Sequence, residues 1–212
     1  EDFDLILCDI KMPKMDGVEV LEAVKKIKPE IPIVMISGHG DLDTAVNTMR
    51  LGAFDYISKP PDLNRLLNTV RIALDRKELV VENTRLKKKV IQYLNGKPEI
   101  YITERSVGAD PEHNISARLI TPRPQHALFS THLFRDKQRE WKDGDFTILH
   151  APGLLIKRDE FGTRSETCVV TCFDTNTTII VGTFYAGEIK KSMFAAMNYR
   201  LPESKILPMH AG

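Results

Sequence analysis

Leu5-Ile6-Leu7-Cys8-Asp9-Ile10-Lys11-Met12-Pro13-Lys14-Met15-Asp16-Gly17 is the stretch from which the rest of the chain can be read. Its apolar run, closed by a proline and a glycine, predicts a buried β-strand that delivers one carboxylate, Asp9, to the loop beyond its carboxyl end. In an open parallel sheet that edge is where ligands bind and chemistry is done. An isolated aspartate here would read first as a turn cap ahead of Pro13. The surrounding Asp-x-x-Met-Pro-x-Met-Asp-Gly pattern is what argues for chemistry instead.

Outward from Asp9 the pattern repeats. Gly17 to Lys28 carries Val18, Val20, Leu21, Val24 and Ile27 on one helical face, with lysines in the last turns where cations suit the helix dipole. Ile31 to Ile36 is a continuous apolar run, expected of a parallel strand buried on both faces, and it ends at Ser37-Gly38-His39-Gly40. Asp41 is placed to cap a helix that Gly52 terminates. Phe54 to Ile57 is a third strand, followed by Ser58-Lys59-Pro60-Pro61 and a helix from near Asp62. Strand and helix alternate three times, which predicts right-handed parallel crossovers. Each strand then presents one special residue at its end: Asp9, Ser37 and Lys59. A carboxylate can accept a phosphoryl group, a hydroxyl can bond the new oxygens, and an ammonium can offset the added charge.

On these residues the first part of the chain, residues 1–90, resembles the receiver domain of two-component response regulators, a flavodoxin-like parallel fold. The resemblance implies that Asp9 is the phosphoacceptor, Ser37 the switch hydroxyl, Lys59 the family lysine and Tyr56 the aromatic switch. It also implies a cis Lys59-Pro60 bond, Mg2+ held weakly by Asp9 and the Lys11 carbonyl, and a histidine kinase as partner. Ser37-Gly38-His39-Gly40 and the long following helix resemble the subgroup that drives sigma-54 activators. The family's first two strands, with the acidic pair that holds magnesium, have no counterpart here. Phosphotransfer is therefore expected to be impaired, and Leu5 to Leu7 to form an unpaired apolar edge.

From Asp62 to about Leu94 neither proline nor glycine occurs, which predicts one long helix. Ile72, Leu79, Leu86 and Tyr93 recur every seventh residue, with Val90 and Asn83 at intermediate positions. Such a seam suits a dimerising coiled coil, although Arg76 at an inner site favours a packed or solvated linker. Arg85, Lys87, Lys88 and Lys89 read as a solvated basic face.

At Asn95-Gly96-Lys97-Pro98 the texture changes to β-branched and aromatic runs. Short strands are expected at Glu99 to Thr103, Arg118 to Thr121 and Phe146 to His150, and a helix at Gln125 to Phe134. Thr167 to Phe173 and Thr177 to Thr183 flank Asp174-Thr175-Asn176, a hairpin signal. A helix follows from Gly187 through Met197, then a strand leading to Met209-His210. Lys190 and Lys191, at the start of that helix behind a Gly-containing turn, can both face an anion; an exposed charged first turn is the blander reading.

The string Gly182-Thr183-Phe184-Tyr185-Ala186-Gly187-Glu188-Ile189-Lys190-Lys191-Ser192-Met193-Phe194 resembles the active-site segment of ATP-dependent phosphoenolpyruvate carboxykinase. The resemblance spans residues 93–212. It takes in Ser106-Val107-Gly108-Ala109-Asp110-Pro111, Ile148-Leu149-His150-Ala151-Pro152-Gly153, Gly162-Thr163-Arg164-Ser165-Glu166 and Leu207-Pro208-Met209-His210. It implies decarboxylation of oxaloacetate and phosphorylation of the enolate by ATP, with Mn2+ bound by Lys191 and His210. Lys190 would contact substrate or phosphate, and Tyr185 the carboxylate or CO2. Oxaloacetate and phosphoenolpyruvate are then the ligands of this half. A lysine ligates only when deprotonated, so the pKa of Lys191 is expected to be lowered. His113, His126, His132 and His150 match no such role. No Gly-x-x-x-x-Gly-Lys-Ser/Thr occurs in the chain, and no carboxykinase turnover is expected from it.

Composition bounds the remaining possibilities. The 212 residues are 42% hydrophobic and 28% charged, with a net charge of +1. That suits real cores and gives no electrostatic case for nucleic acid or membrane. Cys8, Cys168 and Cys172 read as ordinary thiols. The acidic Glu1-Asp2-Phe3-Asp4 start is the opposite of a basic signal peptide, so the expected compartment is the cytoplasm. The organisation expected is a partial receiver at 1–74, a linker helix at 75–94 and a partial carboxykinase amino-terminal domain at 95–212, mixed α/β throughout. The alternatives are a signalling module only, or a join with no function of its own.

Overall fold

Asp16 illustrates how the chain starts its elements. Its carboxylate accepts from the Val18 N–H at 3.0 Å while Glu19 accepts from the Asp16 N–H at 3.2 Å. This capping box satisfies donors that have no partner inside helix α1, Gly17–Ile27. The computed structural model describes residues 3–13, 15–38 and 42–209. It divides the chain into two units, Glu1–Glu82 and Asn83–Gly212. The predicted Asp41 cap and the residues His39 and Gly40 lie outside the described residues.

In the first unit, β1 (Ile6–Asp9), β2 (Ile33–Ser37) and β3 (Asp55–Ser58) form a parallel sheet in that order. Helix α1 joins the first two strands and α2 (Leu42–Arg50) the next two, as the alternation predicts. Asp9 lies opposite Ile36, and Ser37 opposite Ser58, so all the strands end at one edge. Cys8, Ile10, Leu21, Ile33 and Met35 are buried together beneath α1, with Tyr56 half-buried against them. Strand β1 is an edge strand of the described sheet, and Leu7 is exposed on it.

Helix α3 (Leu63–Asn95) runs unbroken for 33 residues across the boundary between the units. Its second half departs from the dimer seam allowed by the heptads. Leu86 and Val90 are buried among Leu149, Ile179 and other core residues, and Tyr93 packs there too. Those apolar positions serve the core of the second unit, not a partner helix. The basic face is likewise engaged, since Lys89 donates to Glu160 at 2.9 Å and Arg85 stands 3.8 Å from the same carboxylate.

The second unit is built on a mixed sheet in the order β6-β4-β5-β7-β9-β8. Strands β4 (Tyr101–Val107), β5 (Ile115–Thr121), β6 (Arg135–Asp136), β7 (Phe146–Ala151), β8 (Cys168–Cys172) and β9 (Thr177–Val181) supply it. Strands β5, β7 and β9 are parallel, and the flanking pairs are antiparallel. Alternation along β9 sends Ile180 to one face and Ile179 and Val181 to the other. The first face is covered by α6 (Gly187–Arg200) through Ile189, Met193 and Ala196. The second is covered by the end of α3 and by Ile156 and Phe161, the latter on the short helix α5 (Arg158–Phe161). Helix α4 (Pro124–Leu133) follows β5 directly. Among the described residues no strand forms between α6 and Met209. Pro202 suits the first turn of a helix, and Leu201–Ser204 forms a 3-10 turn instead. Lys205 then ends that turn in the left-handed region, at φ 60°.

Candidate functional site

Two places in the chain gather chemically able side chains, one in each unit. In the first unit the Lys59 ammonium donates to Asp9 Oδ2, and the Lys11 N–H donates to Oδ1 at 3.3 Å. The hydrogen bond from Lys59 comes first in holding the Asp9 carboxyl below its ordinary value. The Lys59 N–H donates to the Ser37 carbonyl at 2.6 Å, which ties the third strand end to the second. Ser37 is buried, and its hydroxyl donates to the Gly38 carbonyl at 2.9 Å. Tyr56 stays half-buried, its carbonyl held by Arg65 at 3.0 Å. The Lys59-Pro60 peptide is cis.

Gly17 explains why Asp9 can sit where it does. A Cβ there would overlap the Asp9 carbonyl oxygen and crowd the Ile10 Cα. The helix start therefore lies directly on the strand end, and only glycine permits that approach.

In the second unit the segment from Gly182 to Lys191 is fixed residue by residue. The Gly182 N–H donates to the Ala151 carbonyl at 3.2 Å, and the Tyr185 N–H to Thr183 Oγ1 at 3.1 Å. The Tyr185 ring lies across Gly187, where a Cβ would overlap it. Above the ring sits the Lys191 ammonium, 5.1 Å from its centroid. Lys191 also donates to Glu188 one helical turn back, at 2.8 Å. That bond raises the Lys191 pKa above its ordinary value. The Glu188 carboxylate favours the ammonium form of Lys191.

The adjacent lysines part company. Successive helical residues are rotated by about 100°, so neighbours in sequence face different surroundings. Lys190 lines a cavity of about 490 Å³ with Asp110, Arg135 and the apolar Phe194, Met197 and Leu207. Lys191 is 60% exposed beside Tyr185. The two ammoniums therefore stand in different surroundings. His210 lies outside the described residues. Among the described residues no cluster of three His, Cys, Asp or Glu side chains is arranged to hold a metal ion.

Sequence reasoning missed Glu188, although its spacing to Lys191 is that of a helical ion pair. It also missed Arg123, whose guanidinium lies 4.9 Å from the Phe184 ring centroid. No helix among the described residues is long and apolar enough to cross a membrane.

Comparison with known proteins finds two families along the chain. Residues 64–212 match the family model of phosphoenolpyruvate carboxykinase, and residues 1–71 match that of the response regulator receiver domain. The ATP-dependent phosphoenolpyruvate carboxykinase of Thermus thermophilus is 39% identical over 133 residues, covering 59% of this chain and 25% of that protein. The enzyme of the same description from Rubrobacter xylanophilus is 41% identical, covering 59% and 24%. The chain thus spans about a quarter of the length of the curated relatives it matches. Among solved structures, a response regulator receiver domain protein from Clostridium thermocellum is 40% identical, with a TM-score of 0.35. The match covers 36% of this chain and 61% of that one.

Proposed function

This chain belongs to the phosphoenolpyruvate carboxykinase family, and from that premise we propose that its second unit binds oxaloacetate or phosphoenolpyruvate through Tyr185, Lys190 and Lys191. The observation that carries the reading is the Lys191 ammonium, held charged by Glu188 and seated on the Tyr185 ring at an exposed edge. A substrate carboxylate would meet that ammonium, and the tyrosine hydroxyl can donate to its second oxygen. In the family reaction oxaloacetate loses CO2, and the enolate oxygen left behind takes the γ-phosphoryl group of ATP, giving phosphoenolpyruvate and ADP. A fixed cation beside the ketone oxygen would stabilise the negative charge that develops there as CO2 departs. The wider reading includes a place in gluconeogenesis and in the cytoplasm.

Mn2+, which the family resemblance assigns to Lys191 and His210, would supply positive charge beside the reacting oxygens. To hold it, Lys191 would have to leave Glu188 and lose its proton; His210 lies outside the described residues. The 212 residues hold no Gly-rich phosphate loop, so on their own they are expected to bind substrate without turning it over. Calorimetric titration of phosphoenolpyruvate into the chain tests the binding. The reading requires that Lys191→Ala weaken it about tenfold or more. Equal affinity in the variant would remove the reading, and product formed from oxaloacetate and ATP would remove the expectation of no turnover.

The first unit supports a second reading, carried by Asp9 and Lys59 meeting across strand ends that are 50 residues apart. A receiver would take a phosphoryl group from a histidine kinase. An Asp9 oxygen would attack phosphorus, the P–N bond to the imidazole would break, and the imidazole would leave with a proton. Lys59 would face the added charge and Ser37 would turn from Gly38 to bond the new oxygens. Asp9 and the Lys11 carbonyl are the groups that would hold Mg2+ here, since each Asp9 oxygen keeps a lone pair beside the hydrogen bond it accepts. Incubation with acetyl phosphate should add one phosphoryl group to the native chain and none to Asp9→Asn. Equal labelling of both would overturn this reading. The two readings together describe a chimeric chain.

A further inference from the structure

Beneath the Tyr185 segment lie two imidazoles to which no role has been given. His126 stands in α4 and His150 in β7; His150 is fully buried and His126 is 3% exposed. Their ring centroids are 4.5 Å apart and their planes are inclined by 48°. Each ring points Nε2 at a main-chain oxygen, and the two oxygens belong to successive residues. His150 Nε2 is 3.2 Å from the Thr183 carbonyl, and His126 Nε2 is 2.9 Å from the Phe184 carbonyl.

A carbonyl oxygen only accepts, so each Nε2 must carry the hydrogen. The other face of His150 agrees. The Arg123 N–H donates to Thr121 Oγ1 at 3.3 Å, and that hydroxyl lies 3.0 Å from His150 Nδ1. A hydroxyl that accepts from Arg123 still has its own proton to give to a bare Nδ1. The Nδ1 of His126 is buried and meets no partner among the described residues, so nothing there accepts a second proton. Burial and the neighbouring His126 also disfavour a charge on His150, whose pKa is pushed down to about 4.

We infer that His126 and His150 are positioning residues: as neutral Nε2–H tautomers they hold the Thr183 and Phe184 carbonyls and so fix where Tyr185 leaves the edge of the sheet. Main-chain and side-chain bonds then carry that placement forward. The Tyr185 N–H is bound by Thr183 Oγ1, and the Tyr185 carbonyl accepts from the Glu188 N–H at 3.2 Å in the first turn of α6. The Tyr185 main chain and the start of α6 are thereby set before any ligand arrives, which lowers the ordering cost of binding. The consequence for binding rests on the reading of Tyr185 and Lys191 as an anion site. The tautomers and the order of the segment do not, so the two can fail separately.

The test uses the full 212-residue chain. With 15N-labelled histidine at pH 7, both residues should show a protonated Nε2 and a bare, pyridine-like Nδ1. An Nδ1–H tautomer or an imidazolium at either position would overturn the inference. Hydrogen exchange supplies the second arm. A glutamine amide reaches the place of Nε2 and can donate, whereas leucine cannot. His126→Leu should speed exchange over residues 183–187 about tenfold, the loss of one hydrogen bond, with β5 and β7 unchanged. His126→Gln should return the rate to near the native one. Native exchange in His126→Leu, or a general loosening that His126→Gln does not repair, would overturn the proposal. If His126→Leu does not fold, the tautomers of the native chain decide the matter.

Discussion

The two sites assemble in opposite ways. Asp9, Ser37 and Lys59 are far apart in sequence, and parallel strands bring them to one edge. Lys190 and Lys191 are neighbours in sequence, and a helix turns them towards different surroundings. Sheet topology gathers distant residues; helical rotation separates adjacent ones. The glycines beside the sites differ in the same sense. Gly17 meets main chain that cannot move, whereas Gly187 meets a ring that is 62% exposed and can swing away.

The sharpest way to break this comparison is to add one methyl group at each glycine. Gly17→Ala forces the start of α1 off the Asp9 carbonyl. A loss of about 3 kcal/mol is expected from overpacking against backbone, visible as a lower urea midpoint for the first unit. Phosphorylation of Asp9 should fall with it. An unchanged midpoint would mean that strand end and helix start are not rigidly joined.

A second test concerns His150, which holds its site from below. Its pKa is lowered from 6.5 to about 4 by burial and by His126. The unfolded chain therefore binds the proton more readily, and stability rises with pH wherever that holds. The contribution is complete above the unfolded value and is lost as pH falls from about 6.5 towards 4. Between pH 7 and 4.5 the second unit should lose about 2 kcal/mol from this group. Asp145, whose carboxyl Arg139 holds low, adds loss of the same sign only at lower pH. Urea midpoints at both pH values check this, and His150→Gln should flatten the difference. A slope that survives in the variant would assign it to the carboxylates.

What the sequence made legible follows the same division. The strands and crossovers of the first unit could be read because apolar runs and breakers recur at regular intervals. Asp9 and Lys59 could be paired because parallel strands must end at one edge. The start of α6 was legible as an element, but not the directions of its lysines, which depend on where the first turn is phased against the sheet. The pairing of His126 with His150 joins a helix to a strand across intervening chain, and no local pattern marks it. The heptads of α3 are real, yet an apolar stripe does not say whether it will meet a sheet or another helix. Leu86 and Val90 meet a sheet. Strand β6 was missed because two residues carry no period.

A gentler perturbation separates position from stability. In Gly187→Ala the new methyl displaces the Tyr185 ring, which can rotate into solvent. The stability change should stay within about 1 kcal/mol, since alanine also improves the helix. Affinity for phosphoenolpyruvate should nevertheless drop if Tyr185 contacts it. Full affinity with a displaced ring would leave Lys191 as the sole contact.

The smallest effect concerns Glu188 and decides what that carboxylate is for. The Lys191–Glu188 pair is exposed and spaced one helical turn, so Glu188→Gln should cost about 0.5 kcal/mol or less in stability. The Lys191 pKa should fall back towards its ordinary value, which lies far above neutral pH, so the ammonium stays charged. A substrate carboxylate would share that ammonium with Glu188, whose negative charge opposes its approach. Removing the competitor should therefore strengthen phosphoenolpyruvate binding by about twofold, the binding counterpart of a weak exposed ion pair. Weaker binding would reverse the sense of the contact: Glu188 would be holding Lys191 in place for the ligand, and the second site would then resemble the first, where Lys59 and Asp9 fix one another in advance.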